Sequence, residues 1–177
     1  MSNKKTIKKI GSFSLNDKKT QTVMSSLSML ISGTGVGLIF LTKAYEKNVT
    51  PLWVIVLSII GFIVAHELIH ILFMSVFALG KVNVRIKFPT IAVGSDAYFN
   101  RTQYIVIALA PVIVLGLAIS ICLLILQYKF LLAILLVLNF ASASGDYILT
   151  FYALKQEKNT YFVDTAEKTL IYKQEVW

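Results

Sequence analysis

Apolar residues occur along this chain in four long blocks, in which hydrophobic positions face every side of a helix. The blocks cover about 23–42, 52–79, 104–126 and 130–154. Each approaches or exceeds the roughly 20 residues that a helix needs to cross the hydrocarbon layer of a membrane. The pattern therefore predicts four transmembrane helices.

A different period appears between the second and third blocks. Residues 82–88 alternate apolar and polar side chains, which is typical of a half-buried strand, and Pro89 interrupts the alternation. Short apolar runs at 91–93 and 97–99 flank a Gly-Ser-Asp turn. The predicted fold class is an all-α membrane protein with four transmembrane helices and a short β-hairpin at the cytoplasmic interface.

The chain divides around these blocks into three parts. We expect a basic cytoplasmic arm at 1–22, a four-helix transmembrane domain at 23–154 with its core at 52–154, and a cytoplasmic tail at 155–177. Two apolar runs in the tail, 161–163 and 170–172, indicate a second short hairpin. In the third block, Pro111 predicts a kink because proline lacks the backbone N–H of a helix interior.

Composition and charge agree with a membrane protein. Hydrophobic residues make up 56% of the chain and charged residues only 15%. The net charge of +8 arises from basic residues beside the apolar blocks, where they favour the cytoplasmic side, and they form no aromatic-interleaved patch for nucleic acid. We expect a multi-pass cell-membrane protein that has both termini in the cytoplasm, the lipid bilayer as its partner and no nucleic-acid partner.

Two acidic residues, Glu67 and Asp146, lie inside apolar blocks, where a charge is costly and usually has a function. The only two histidines of the chain, His66 and His70, flank Glu67 in the pentad His-Glu-Leu-Ile-His. On a helix, this spacing stacks both imidazoles on one face, as in zinc peptidases, with the glutamate beside them as general base. The pentad therefore predicts a Zn²⁺ site with His66 and His70 as ligands.

Catalytic zinc commonly has three protein ligands, so one ligand remains to be found. If the second and fourth helices both start at the outer face, His66 and His70 lie roughly 21–27 Å deep and Asp146 roughly 24 Å deep. Equal depth makes Asp146 the predicted third ligand. A polar packing contact or a proton relay are the alternatives for this carboxylate.

Asn139 and Ser142 precede Asp146 by seven and four residues, so the three share one face of an ideal helix. They are candidates for contacting substrate or for hydrogen bonding to the metal ligands, although intramembrane asparagines also commonly join helices. Gly145 is expected to loosen the helix nearby.

Two classes of function fit these residues. The first is an intramembrane zinc endopeptidase that cuts membrane-bound peptides or proteins, with Glu67 taking a proton from water. The second is a non-catalytic metal-binding membrane protein, such as a transporter or a sensor. Transporters commonly have repeated halves, and the sequence shows no internal repeat.

The residues His66, Glu67, His70 and Asp146 resemble the pattern of the site-2 protease family of intramembrane zinc proteases. Asn139 stands where that family has an asparagine, and the segment 108–111, Ala-Leu-Ala-Pro, looks like its proline-bearing core helix. The four-span layout looks closest to a bacterial family of zincin membrane peptidases. This resemblance, which covers about 52–154, implies zinc-dependent cleavage of membrane substrates in a bacterial cell.

Overall fold

The computed structural model describes residues 5–43, 50–78, 82–87, 90–165 and 167–176. Its elements in chain order are β1 (Lys5–Phe13), α1 (Lys18–Leu41), α2 (Leu52–Ala78), β2 (Asn83–Lys87), β3 (Thr90–Gly94), β4 (Phe99–Asn100), α3 (Arg101–Ile125), α4 (Lys129–Ser142), α5 (Ser144–Leu154), β5 (Thr160–Asp164) and β6 (Thr169–Val176).

Among the described residues, four helical segments are long and apolar enough to cross a membrane, which confirms the number predicted from the apolar blocks. The first three are α1, α2 and α3, and the fourth comprises α4 and α5 together. Many large apolar side chains on these helices face outward, among them Leu41, Leu52 and Leu124. Such a surface is stable in lipid and costly in water, so the fold is consistent with a multi-pass membrane protein.

Polar residues define where two of these helices begin. The Asp17 carboxylate accepts a hydrogen bond from the backbone N–H of Thr20 at the start of α1. At the start of α3, Asn100 and Gln103 each accept the other's backbone N–H at 2.9 Å, which is a capping box. These caps satisfy N–H groups that lack a partner within the helix.

The fourth apolar block is broken where a single helix was expected. The break occurs at Ala143, which has φ −75° and ψ 11°, between α4 and α5. Gly145 was expected to loosen this region, and the break lies two residues before it. The local sequence Ser-Ala-Ser-Gly favours the break because three of these four residues are poor helix formers.

The β structure is more extensive than predicted. Strands β2 and β3 form the expected hairpin, whose predicted breaker, Pro89, lies outside the described residues. A separate antiparallel sheet has the strand order β1-β6-β5-β4, and in it Phe99 pairs with Phe162. The all-α description is therefore too narrow, because the part of the chain that the structure describes is mostly helical with two antiparallel sheets.

This sheet also changes the picture of both terminal segments. Part of the predicted N-terminal arm forms β1, which pairs with β6 from the predicted tail and has an irregularity between Lys9 and Gly11. The tail hairpin predicted around 161–163 and 170–172 exists as β5 and β6. Because the two ends of the chain share one sheet, the arm and the tail form a single structural unit.

Two apolar clusters lie on either side of the histidine pair along α2. One cluster includes Met74 and Ala78 and joins the helices to the sheet through Phe99, Phe162 and Ile171. The other consists of Phe62, Ile119 and Leu132 and joins α2, α3 and α4. His66 and His70 fall between Phe62 and Met74 at successive four-residue steps, so packed side chains hold this part of α2 on both sides.

Candidate metal centre

The two histidines lie on one face of α2, as their spacing predicts. The centroids of the His66 and His70 rings are 5.0 Å apart, and the ring planes are inclined by 74°. His66 is buried, and His70 is partly buried. Successive turns of one helix therefore present two imidazoles to the same space.

Asp146 approaches both rings from the first turn of α5. One carboxylate oxygen, Oδ2, is 3.3 Å from Nε2 of His66, and the other, Oδ1, is 3.5 Å from Nε2 of His70. The chain thus brings together the three residues that were expected at equal depth. Their role as metal ligands stays a prediction.

The spacing and chemistry of these atoms suit a zinc ion. Ligand atoms of His66, His70 and Asp146 all lie within 4.8 Å of one another. Two atoms that bind one tetrahedral zinc at about 2.0–2.1 Å lie about 3.4 Å from each other. The nitrogen–oxygen distances of 3.3 Å and 3.5 Å match this separation, whereas an ordinary charge-assisted hydrogen bond is shorter, at about 2.7–2.9 Å. Two imidazoles and one carboxylate form a donor set common in zinc hydrolases, so these residues fit the metal.

The other ring nitrogen of His70 is held by the backbone of α3. Nδ1 of His70 lies 3.0 Å from the carbonyl oxygen of Ile107. A carbonyl can only accept a hydrogen bond, so Nδ1 donates its proton and Nε2 is the nitrogen available to a metal. In contrast, Nδ1 of His66 is buried and has no hydrogen-bond partner among the described residues.

Glu67 lines the same cavity as the three candidate ligands. The cavity has a volume of about 260 Å³, which leaves space for water and part of a substrate. Glu67 lies outside the group of ligand atoms that converge within 4.8 Å among the described residues. Its position beside that group suits a proton acceptor better than a fourth ligand.

The two candidates upstream of Asp146 occupy different environments. Ser142 is exposed and lines the cavity. Asn139 is fully buried, and its side-chain N–H donates to the carbonyl of Val112 in α3 at 2.9 Å. Ser142 therefore shares the cavity with Asp146, whereas Asn139, which the break at Ala143 separates from Asp146, joins α4 to α3.

Sequence reasoning did not identify several residues that line the cavity. Leu15 and Met24 come from the N-terminal region, and Tyr104 and Asp164 connect the cavity to the sheet. The Tyr104 hydroxyl lies 3.3 Å from the Asp164 carboxylate and 2.8 Å from the Thr169 hydroxyl. No local pattern marks these residues, because they reach the cavity only through the packing of segments that are distant in the sequence.

A helical scaffold that directs two histidines, an aspartate and a glutamate into one cavity is of the type used by zinc-dependent hydrolases. The comparison with protein families agrees with this class. The chain belongs to the family described as "Putative zincin peptidase", whose model matches residues 59–161, more than half of the chain. Membership implies a zinc metallopeptidase. No curated protein and no solved structure matches the chain.

Proposed function

We propose that this protein is an intramembrane zinc endopeptidase of the site-2 protease type, which cuts membrane-embedded or juxtamembrane segments of membrane-bound peptides or proteins. The observation that carries the proposal is the approach of the Asp146 carboxylate to the imidazoles of His66 and His70. Membership of the zincin family independently supports zinc and peptide hydrolysis.

The position of the site along the helices supports an intramembrane reaction. His66 lies close to the midpoint of α2, which spans Leu52–Ala78, and that helix is apolar enough to cross the bilayer. Asp146 lies inside the fourth candidate span. A peptide bond that reaches both residues must enter the depth of the bilayer or a cavity open to it.

When bound by His66, His70 and Asp146, zinc would supply a Lewis acid for the scissile carbonyl and would make water more acidic. Glu67 accepts the proton of the attacking water, whose oxygen forms a bond to the carbonyl carbon. The same carboxyl group then donates this proton to the amide nitrogen as the peptide C–N bond breaks. The second proton of the water stays on the new carboxyl group, so the products are a carboxylic acid and an amine, which at neutral pH become a carboxylate and an ammonium group.

The competing function is metal binding without catalysis, as in a transporter or a sensor. In that case Glu67 would be a further ligand or a proton carrier, whereas it lies outside the converging ligand group. We therefore assign it the role of base. The two roles predict different results when its charge is removed.

Zinc content and cleavage, measured on the same purified preparations, test the proposal. Wild-type protein in bicelles should contain about one zinc per chain and should cleave a membrane-anchored reporter. Glu67→Gln should retain zinc and lose at least 100-fold in cleavage rate, since general base catalysis contributes about 10²–10⁴-fold. Glu157→Gln is the matched control, because Glu157 is an exposed residue that pairs with Lys173 outside the cavity.

Three results would refute the proposal. Cleavage by Glu67→Gln at the wild-type rate would exclude Glu67 as the general base. Purified wild-type protein that contains no zinc would exclude the metal centre. Metal binding without cleavage of any membrane-anchored reporter would favour the transporter or sensor.

The proposed orientation has both termini in the cytoplasm, on the same side as the basic loop 80–103. Cys122 is the only cysteine of the chain, so it is first replaced by serine. A single cysteine placed before residue 5 or after residue 176 of this variant should be protected from an impermeant thiol reagent in intact cells. Labelling of either cysteine in intact cells would contradict this orientation.

A further inference from the structure

Helix α3 contains no candidate metal ligand, yet it contacts both of the helical segments that carry them. Pro111 lies in the interior of α3 and is fully buried. In a regular helix, the N–H of residue 111 would donate to the carbonyl of Ile107, four residues earlier. Proline has no N–H, so this carbonyl lacks its helical partner, and the proline ring pushes the helix backbone away from it.

The carbonyl released by Pro111 is the one that contacts His70. Nδ1 of His70 is 3.0 Å from the oxygen of Ile107, while Nε2 of the same ring faces Asp146 at 3.5 Å. One imidazole therefore bridges the free carbonyl of α3 and the carboxylate of α5. The hydrogen bond determines which tautomer His70 adopts and turns the lone pair of Nε2 toward the ligand group.

We propose that Pro111 is a positioning residue for the metal centre, because the carbonyl it frees at Ile107 orients His70 as a ligand. The inference rests on the proposed function, since it concerns the affinity of the same site for zinc. It assigns α3 a role through its backbone, whereas the ligands come from the side chains of α2 and α5.

A second contact joins α4 to α3 next to Pro111. The carbonyl of Val112, the residue after Pro111, accepts the side-chain N–H of Asn139 at 2.9 Å. Two carbonyls on either side of Pro111 thus contact neighbouring helices, Ile107 contacting α2 through His70 and Val112 contacting α4 through Asn139. An ordinary residue at 111 would supply an N–H that competes with His70 for the Ile107 carbonyl and would straighten the turn.

The test compares zinc affinities of detergent-purified full-length protein. Pro111→Ala restores the backbone N–H, and we expect zinc binding to weaken by about 10–100-fold, the usual effect of removing the hydrogen-bond partner of a metal-bound histidine. Pro51→Ala is the matched control, since Pro51 is an exposed proline just before α2 and is remote from the cavity. Its affinity should equal that of wild type.

A second variant separates the freed carbonyl from the shape of the proline ring. Lactic acid incorporated at position 111 by nonsense suppression has the side chain of alanine and an ester oxygen where alanine has an N–H. This variant should keep wild-type zinc affinity. It should also keep the wild-type visible spectrum with Co²⁺, which reports the geometry of the ligands.

Each result is decisive for the inference. Unchanged affinity in Pro111→Ala would overturn it, and so would equal weakening in both variants, since the ring and not the carbonyl would then matter. Nitrogen NMR of ¹⁵N-labelled histidine in the metal-free protein gives a separate measurement. His70 should be protonated at Nδ1 in the wild type and a mixture of tautomers in Pro111→Ala. If the wild type binds no zinc, the proposed function fails, while the NMR result still decides the role of Pro111.

Discussion

The contact between α1 and α4 gives a prediction that can be worked out from distances. A methyl group added at Gly35 in α1 would lie 2.5 Å and 2.7 Å from the two γ carbons of Val137 in α4. Carbon atoms normally approach to about 3.5–4.0 Å, so α1 would have to retreat by about 1 Å. Val137 offers little relief because its branched side chain has few rotamers.

The expected cost follows from two opposing terms. Overpacking of this kind costs about 1–3 kcal/mol, while replacing a helical glycine by alanine contributes about 0.5–1 kcal/mol of stability. Gly33 and Gly37 have open space at the equivalent position, with no heavy atom within 4 Å among the described residues. Gly33→Ala and Gly37→Ala therefore carry only the favourable term. Gly35→Ala should be less stable than either by about 1–3 kcal/mol, a factor of roughly 5–150 in the unfolding equilibrium.

The assay is equilibrium unfolding of the three variants in bicelles, by steric trapping or by titration with sodium dodecyl sulfate. Val137→Ala removes both clashing atoms, so combining it with Gly35→Ala should recover more than 1 kcal/mol relative to the sum of the single effects. Equal stability of Gly35→Ala and Gly33→Ala, or additive effects of Gly35→Ala and Val137→Ala, would refute the packing of α1 against α4.

Three further predictions concern the metal centre and the hydrogen bond between α3 and α4. Asp146→Asn should weaken zinc binding by more than 100-fold, measured by competition with a chelating dye, because it loses a direct ligand; unchanged affinity would place the third ligand elsewhere. Asn139→Leu should change unfolding free energy by less than about 1 kcal/mol, because the lost hydrogen bond is offset by removal of the buried Oδ1, which has no hydrogen-bond partner among the described residues, and a larger loss would contradict this balance. Treatment with 1,10-phenanthroline should abolish cleavage reversibly, with zinc restoring it, and full activity without metal would contradict a zinc peptidase.

Local patterns in the sequence were sufficient to predict the helices and part of the candidate metal site. Blocks of about 20 apolar residues specify helices long and apolar enough to cross a membrane, because the length requirement acts on each block separately. The spacing of His66 and His70 specifies a shared helix face for a similar reason, since it depends on a single turn. The similar depths of Asp146 and the two histidines along their predicted helices were enough to predict Asp146 as the third ligand.

Contacts between distant segments were not predictable in the same way. The β1–β6 pairing joins residues more than 150 positions apart, and alternation in either strand says nothing about its partner. Met24 reaches the cavity through the packing of α1 and Leu15 through the turn that precedes this helix, and no feature of their local sequence marks them. The break at Ala143 also separates Asn139 from the face it shares with Asp146 in an ideal helix.

The sequence by itself therefore determined the four helices long and apolar enough to cross a membrane and the predicted zinc ligands on α2, because each follows from local length, spacing or residue chemistry. Only the tertiary structure decided which atoms meet. The proximity of the Asp146 carboxylate to both imidazoles and of the Ile107 carbonyl to His70 depends on how α2, α3 and α5 pack together. Pro111 shows the difference well, since its missing N–H is evident from the sequence, but the side chain that uses the freed carbonyl comes from another helix.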